Sequence, residues 1–226
     1  MFIDVHAYHL SAALQILVGI DTIAIHPWEL KSPFDQLAFD NNWIDVCKKS
    51  YHMLAIGECG LDRAHENIVD IDTQKEVLKK HFELANERSL PIIIHSVRAY
   101  SDLLGMLKRK PFKNNILLHA FGGNDYEVQE LLKYPVYFSY GARLLKNPLT
   151  ISIIPIDRLL LETGDQTEIS IEQIYSKAAE LLNISIPELQ KIIKKNFLTF
   201  FNQSNDESSS DFIKNLNIRH KPRELF

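Results

Sequence analysis

Eight short apolar runs punctuate this chain, separated by stretches of helical period, and several of them close on a histidine or an acid. Runs of strand length that are apolar throughout, rather than alternately, mark strands buried on both faces, as in a parallel sheet layered with helices. The candidate strands are 2–6, 14–18, 22–26, 53–58, 91–95, 115–119, 136–140 and 158–162. Five of the runs end in residues able to hold a divalent cation: FIDVH at His6, MLAIGE at Glu58, PIIIH at His95, NILLH at His119 and LLLETGD at Asp165. A parallel β/α barrel gathers the C-terminal ends of its strands at one face, where side chains remote in sequence meet. The expected fold is therefore α/β, a parallel β/α barrel with a metal centre at its strand ends.

One stretch breaks the rhythm. Fewer than twenty residues separate His6 from the AIHPW segment, whereas a single βαβ crossover already takes about a dozen. Gly19-Ile20-Asp21 then joins the second and third strands directly, so the barrel is expected to be irregular and shortened near its N-terminus, with a missing or vestigial first helix. Later helices carry start signals: Thr73 with Glu76, Asn124 with Glu127, Ser170 with Gln173 and Ser185 with Glu188 have capping spacing. Leu78, Phe82 and Ala85 form one apolar face, and Leu189, Ile192, Ile193, Phe197 and Phe200 a wider stripe. From Asn202 the composition turns to NQSNDESSSD, which buries too little to order itself. The chain divides into a barrel over 1–201 and a flexible polar tail over 202–226.

With 226 residues and 46% hydrophobic content the chain supports one sizeable core. A net charge of -4 provides no global field for nucleic acid or anionic membrane, so a phosphate-bearing substrate must be held by local groups. Cys47 and Cys59 have no disulfide or zinc-ribbon spacing and read as small buried hydrophobes in a reducing compartment. No apolar run reaches the roughly 18 residues of a membrane helix, and the N-terminus lacks a secretory pattern. A cytoplasmic protein with no membrane partner is the expectation.

A single strand-end histidine is usually structural; four ligand-type residues at four strand ends are a pattern. His6, His95 and His119 offer imidazole nitrogens and Glu58 a carboxylate able to bridge two cations, a mixed set that suits zinc, with magnesium, manganese or nickel as alternatives and one or two ions per chain. Glu58 after Ala-Ile-Gly in an apolar run would be costly to bury without a cation or strong donors. Asp165 is a candidate ligand and proton acceptor, with turn capping as its competing role. Arg63, Arg98 and Arg143 follow three strand ends and are candidates for substrate phosphate. His26, at another strand end, is a candidate donor to substrate. His52, His65, His81 and His220 lack such placement and read as surface residues, while Trp28 and Phe121 read as core packing.

In order, DVHAYHL, AIHPW, AIGECGLD, LPIIIHSVRA, LLHAFGG, YFSYGA and IPIDRLLLETGD resemble the successive strand-end motifs of the TatD family of metal-dependent DNases and related hydrolases, from residue 2 to about 201. The resemblance implies a TIM-like barrel and metal-dependent hydrolysis of phosphodiester bonds, often in DNA, with nucleic acid or a small phosphoester as partner. It also implies His6 on one ion, Glu58 bridging, and His95 with His119 on the other. Two positions depart from the family pattern. Tyr8 stands where the opening His-x-His motif has its second histidine, and Gly164 where the ETD motif has its aspartate, which displaces Asp165 by one. Both weaken the His6 position and leave the Glu58, His95, His119 set complete. They also motivate a second reading, a catalytically silent relative acting as a binding protein. An amidohydrolase acting on a carbon-nitrogen bond is a third, disfavoured because the bridging position is a glutamate rather than a modified lysine.

Overall fold

The apolar runs all become parallel strands: β1 (Ile3–Ala7), β2 (Leu14–Leu17), β3 (Thr22–Ile23), β4 (Ala55–Asp62), β5 (Ile92–Val97), β6 (Ile116–Leu118), β7 (Val136–Tyr140) and β8 (Leu159–Leu161). The computed structural model describes residues 1–146, 151–203 and 209–220. Strands β3 to β8 form a six-stranded parallel sheet in chain order, and β1 with β2 a parallel pair. Single parallel bridges join the two sheets at both seams, Ala7 to Gly164 and Val18 to Thr22. Every strand therefore points the same way and delivers its last residue to one face. Between strands and helices lies an apolar core: Ile56, Ile93, Leu117, Phe138 and Leu160 are fully buried.

The irregular beginning is as the spacing predicts. Only the six residues 8–13 separate β1 from β2. Fully extended, six residues span about 20 Å, enough to run back along the five-residue β1 but leaving nothing for a helix. Gly19, at φ +79, then turns the chain straight into β3.

The remaining connections carry α1 (Gln36–Lys49), α2 (Ile71–Arg88), α3 (Tyr100–Arg109), α4 (Asp125–Leu131), the short α5 (Arg143–Lys146), α6 (Ile171–Leu182) and α7 (Ile186–Phe200). Asn124/Glu127 and Ser170/Gln173 form reciprocal capping boxes, and Ser185 caps α7. At α2 the cap is Asp70 rather than Thr73, because the Asp70 carboxylate accepts from the Asp72 and Thr73 amides and from the Thr73 hydroxyl.

Of the expected tail over 202–226, residues 204–208 and 221–226 lie outside the described residues, and the described part departs from the expectation. Residues Ser209–Arg219 form a further helix, α8. Its Leu216 is buried, Phe212 meets the rings of Phe197 and Phe201, and the helix packs on β2. With no helix between β1 and β2, the outer side of β2 is covered from the other end of the chain. Arg219 donates to the His52 carbonyl, and His220 sits 2.6 Å from the buried Asp21 carboxylate. Among the described residues no helix is long and apolar enough to cross a membrane.

His81, expected at the surface, is fully buried. Its Nε2 accepts from the Ile25 amide at 3.0 Å, so the ring proton sits on Nδ1 and is donated to the Val77 carbonyl at 2.9 Å. Burial pushes its pKa down to about 4 against the opposing pull of Val77. The unfolded chain, with an ordinary histidine near 6.5, takes up the proton first as pH falls. Stability is therefore full above about pH 6.5 and declines by about 3 kcal/mol towards pH 4. Denaturant unfolding at pH 7 and pH 4.5 checks this: His81→Gln should be less stable at pH 7 yet lose less on acidification, and equal losses in both proteins would exclude His81 as the acceptor.

Candidate metal centre

Glu58, in the middle of β4, is the hub. It is 6% exposed and faces side chains from four other strand ends. Its Oε2 lies 3.0 Å from His6 Nε2 and accepts the Tyr8 hydroxyl at 2.7 Å. Its Oε1 lies 2.7 Å from His119 Nε2, 3.0 Å from His95 Nδ1 and 3.1 Å from His26 Nε2. Burial opposes charge on Glu58, but hydrogen bonds from His119, His26, His6 and His95 hold its carboxyl far below the ordinary carboxylate range. By proximity these residues fall into two ligand triads sharing the glutamate, His6–Glu58–His119 and His26–Glu58–His95.

A second ring of carboxylates sits behind the histidines. His95 Nε2 is 3.1 Å from Asp62 Oδ2, which also accepts the Trp28 indole N–H at 2.8 Å. His119 Nδ1 is 3.3 Å from Glu162 Oε1, which accepts the Ala120 amide at 2.8 Å, while the Ser139 hydroxyl donates to Glu162 Oε2. Burial works against charge on both acids, yet Trp28 with His95, and His119, keep them low. Sequence reasoning missed both. Asp62 lies four residues beyond Glu58 on one strand, an even offset that places the two on the same side. Glu162 is the first charge after the apolar run of β8.

Hydrogen-bond roles distinguish the four imidazoles. His26 Nδ1 accepts the Trp28 amide at 3.1 Å, so the neutral ring carries its proton on Nε2 and donates to Glu58. His95 and His119 are different: Asp62 and Glu162 take their outer N–H groups, leaving two nitrogen lone pairs 3.3 Å apart beside Glu58 Oε1. Three acceptors then share one small volume. Turning both protons inward brings three N–H groups onto one oxygen with two lone pairs, so no arrangement of neutral rings satisfies every atom. A cation does, and carboxylate-backed histidines are the usual partners of a metal ion. Burial lowers the His119 pKa, but the charge and hydrogen bond of Glu162, with Glu58, push it up to about 10. His6 lacks this backing, since its buried Nδ1 has no hydrogen-bond partner.

Among the residues singled out by sequence, His6, His26, Glu58, His95 and His119 converge. Asp165 does not join them. Gly164, at φ +62, exchanges backbone hydrogen bonds with β1, and the next side chain turns outward. Asp165 is exposed and accepts from the Gln166 amide at 2.8 Å. Arg63 is held by Asp102 at 2.7 and 3.0 Å and by Glu66 at 2.9 Å, which leaves little of its fork for substrate. Arg98 and Arg143 are exposed and, among the described residues, form no ion pair, with Arg143 lying against Gly122. Phe121 is core, 1% exposed, whereas Trp28 is 62% exposed. The short turn Pro27–Glu29, capped by His26, swings its ring out of the core.

Removing the Asp62 carboxylate should let the His95 ring turn and exchange tautomers. Asp62→Ala is expected to weaken metal affinity about 10- to 100-fold, measured by chelator competition, and unchanged affinity would exclude this role.

Comparison with known proteins gives the family. The sequence model of the family described as TatD related DNase matches residues 5–202. An uncharacterized metal-dependent hydrolase, YabD, of Bacillus subtilis is 30% identical over 211 residues, covering 85% of this chain and 82% of that protein. Deoxyribonuclease TATDN3 of Homo sapiens is 26% identical over 202 residues, covering 79% of this chain and 73% of its own length. Among solved structures, the TatD homolog YJJV of Escherichia coli superposes with a TM-score of 0.68 at 21% identity, covering 81% of this chain and 76% of that one. That likeness is one of fold, and it is the TIM-barrel type expected from the strand pattern. With the family matched from β1 to the end of α7, this chain belongs to the TatD family of metal-dependent DNases and related hydrolases.

Proposed function

We propose that this protein hydrolyses phosphodiester bonds, with nucleic acid as its substrate class, using one divalent cation held by Glu58, His95 and His119. The observation that supports this reading is the meeting of two carboxylate-backed imidazole lone pairs with a carboxylate oxygen, a donor set suited to zinc and open to further coordination. A cation there supplies Lewis acidity toward water and a phosphoryl oxygen. Asp62 and Glu162 fix the ring tautomers that present those lone pairs. His26 directs its Nε2 proton into the site. Arg98 and Arg143, which follow β5 and β7 and have no acidic partner among the described residues, are the side chains we assign to phosphate.

We read one ion rather than two because Oε2 already accepts the Tyr8 hydroxyl, and His6, 3.0 Å from the same oxygen, has no carboxylate behind its ring. Tyr8 faces the same side as His6, as alternation along a strand requires, and reaches Glu58 as a proton donor rather than as a nitrogen ligand. Asp165 stays outside this ligand set, although its charge still helps raise the Tyr8 phenol pKa, behind burial and Glu58.

The test is metal content with turnover. Protein stripped by chelator and reloaded separately with zinc, manganese or magnesium should retain about one ion per chain after desalting and regain hydrolysis of single-stranded DNA or a nitrophenyl phosphodiester. Less than about a tenth of an ion per chain, the level of contamination, would remove the proposal and leave a binding protein.

A further inference from the structure

Trp28 is more exposed than its packing requires. It is 62% exposed and lies outside the apolar core, while Trp43 is packed against the core and stacks on Phe39 with ring centroids 5.9 Å apart. Yet Trp28 is not loose. Its indole N–H donates to Asp62 at 2.8 Å, and its ring stands 5.1 Å from His26 and 5.7 Å from His95, nearly perpendicular to both. If its task were only to hold Asp62, a small amide donor would serve without leaving an indole in water. A large aromatic surface held rigid beside a candidate metal ligand and left uncovered is a ready platform for another flat ring. A second half-exposed ring, Tyr8, is tied to Glu58 Oε2 by its hydroxyl.

We propose that Trp28 stacks the nucleobase next to the phosphate under attack, so that this one indole sets the protein's preference for a base-bearing strand over a bare sugar-phosphate chain. The base and the metal position share one anchor, since Asp62 Oδ2 accepts both the Trp28 and the His95 N–H. A phosphate held at His95 is thus within one nucleotide of the indole. Base-paired duplex, whose base faces are already stacked, cannot use this surface, whereas single strands and frayed ends can. The contact is tolerant of sequence because every base has a π face.

This inference rests on the phosphodiesterase reading, and the experiment separates the two. The metal-loaded protein is given a short oligothymidylate or an abasic deoxyribose-phosphate chain of equal length, and KM and kcat are measured for each. The wild type should favour the base-bearing strand by about 10-fold in KM, the order of one stacked base. Trp28→Ala should collapse that ratio. Trp28→Phe, which keeps a ring but loses the N–H, should preserve most of it while weakening metal affinity through Asp62. Quenching of indole emission by oligothymidylate should be present in the wild type and absent in Trp28→Phe, a reading independent of turnover. A wild type that cleaves both strands equally, or a ratio unchanged in Trp28→Ala, overturns the stacking role alone. A wild type that cleaves neither strand overturns the hydrolase reading as well.

Discussion

Glu58→Gln is expected to abolish most hydrolysis, by on the order of 10³-fold, or about 4 kcal/mol of transition-state stabilisation, while the barrel still folds. The substitution is nearly isosteric, so packing around the 6% exposed side chain changes little. What changes is charge and donor balance. Four imidazoles and a phenol now face one carboxylate. An amide replaces one of its oxygens with an NH₂ that competes for the lone pairs a cation would use. Metal content should fall together with turnover while circular dichroism stays unchanged. A variant retaining more than a tenth of wild-type activity with its ion still bound would show that the chemistry lies elsewhere.

Gly60→Ala is expected to be the most damaging small substitution for folding. A Cβ at Gly60 would lie 1.9 Å from the His95 carbonyl oxygen and within 2.9 Å of the His95 nitrogen. Gly60 is paired with His95 in the β4–β5 ladder, so the clash is backbone against backbone and no side chain can yield. The two strands must part where the candidate ligand His95 is positioned. A loss on the order of 3 kcal/mol or more is expected, read as a fall of about 10 °C in Tm and weakened metal binding. Gly105→Ala is the internal control. It sits in α3 with nothing within 4 Å of the added methyl, and should gain about 0.5–1 kcal/mol. Similar shifts in both variants would mean that the contact at His95 is not what Gly60 serves.

The parts of this molecule legible in its sequence are those set by local chemistry. The eight runs became strands because β-branched residues at strand length, between turn residues, leave few alternatives. The boxes at Asn124 and Ser170 formed because capping is settled within four residues. Convergence of His6, Glu58, His95 and His119 followed from topology, since parallel strands of one barrel must end together. Non-local partners were not legible. His81 is buried because the Ile25 amide, 56 positions away, donates to it. Asp62 matters through a ring on the neighbouring strand β5, and Glu162 through one at the end of β6, two strands away. Asp165 was marked as the end of the last apolar run, but β8 stops at Leu161, which makes Glu162 the inward acid. In the tail, the polar composition around Ser208 hid a spacing, Phe212, Ile213 and Leu216, that already describes one face of a helix.

The docking of α8 on β2 bears on how barrels of this kind lose parts. A strand deprived of its own crossover is tolerable only when something else roofs it, and here the substitute arrives some two hundred residues later. Neighbours in space need not be neighbours in sequence, so trimming the low-complexity end of such a protein strips the wall from its opening strands.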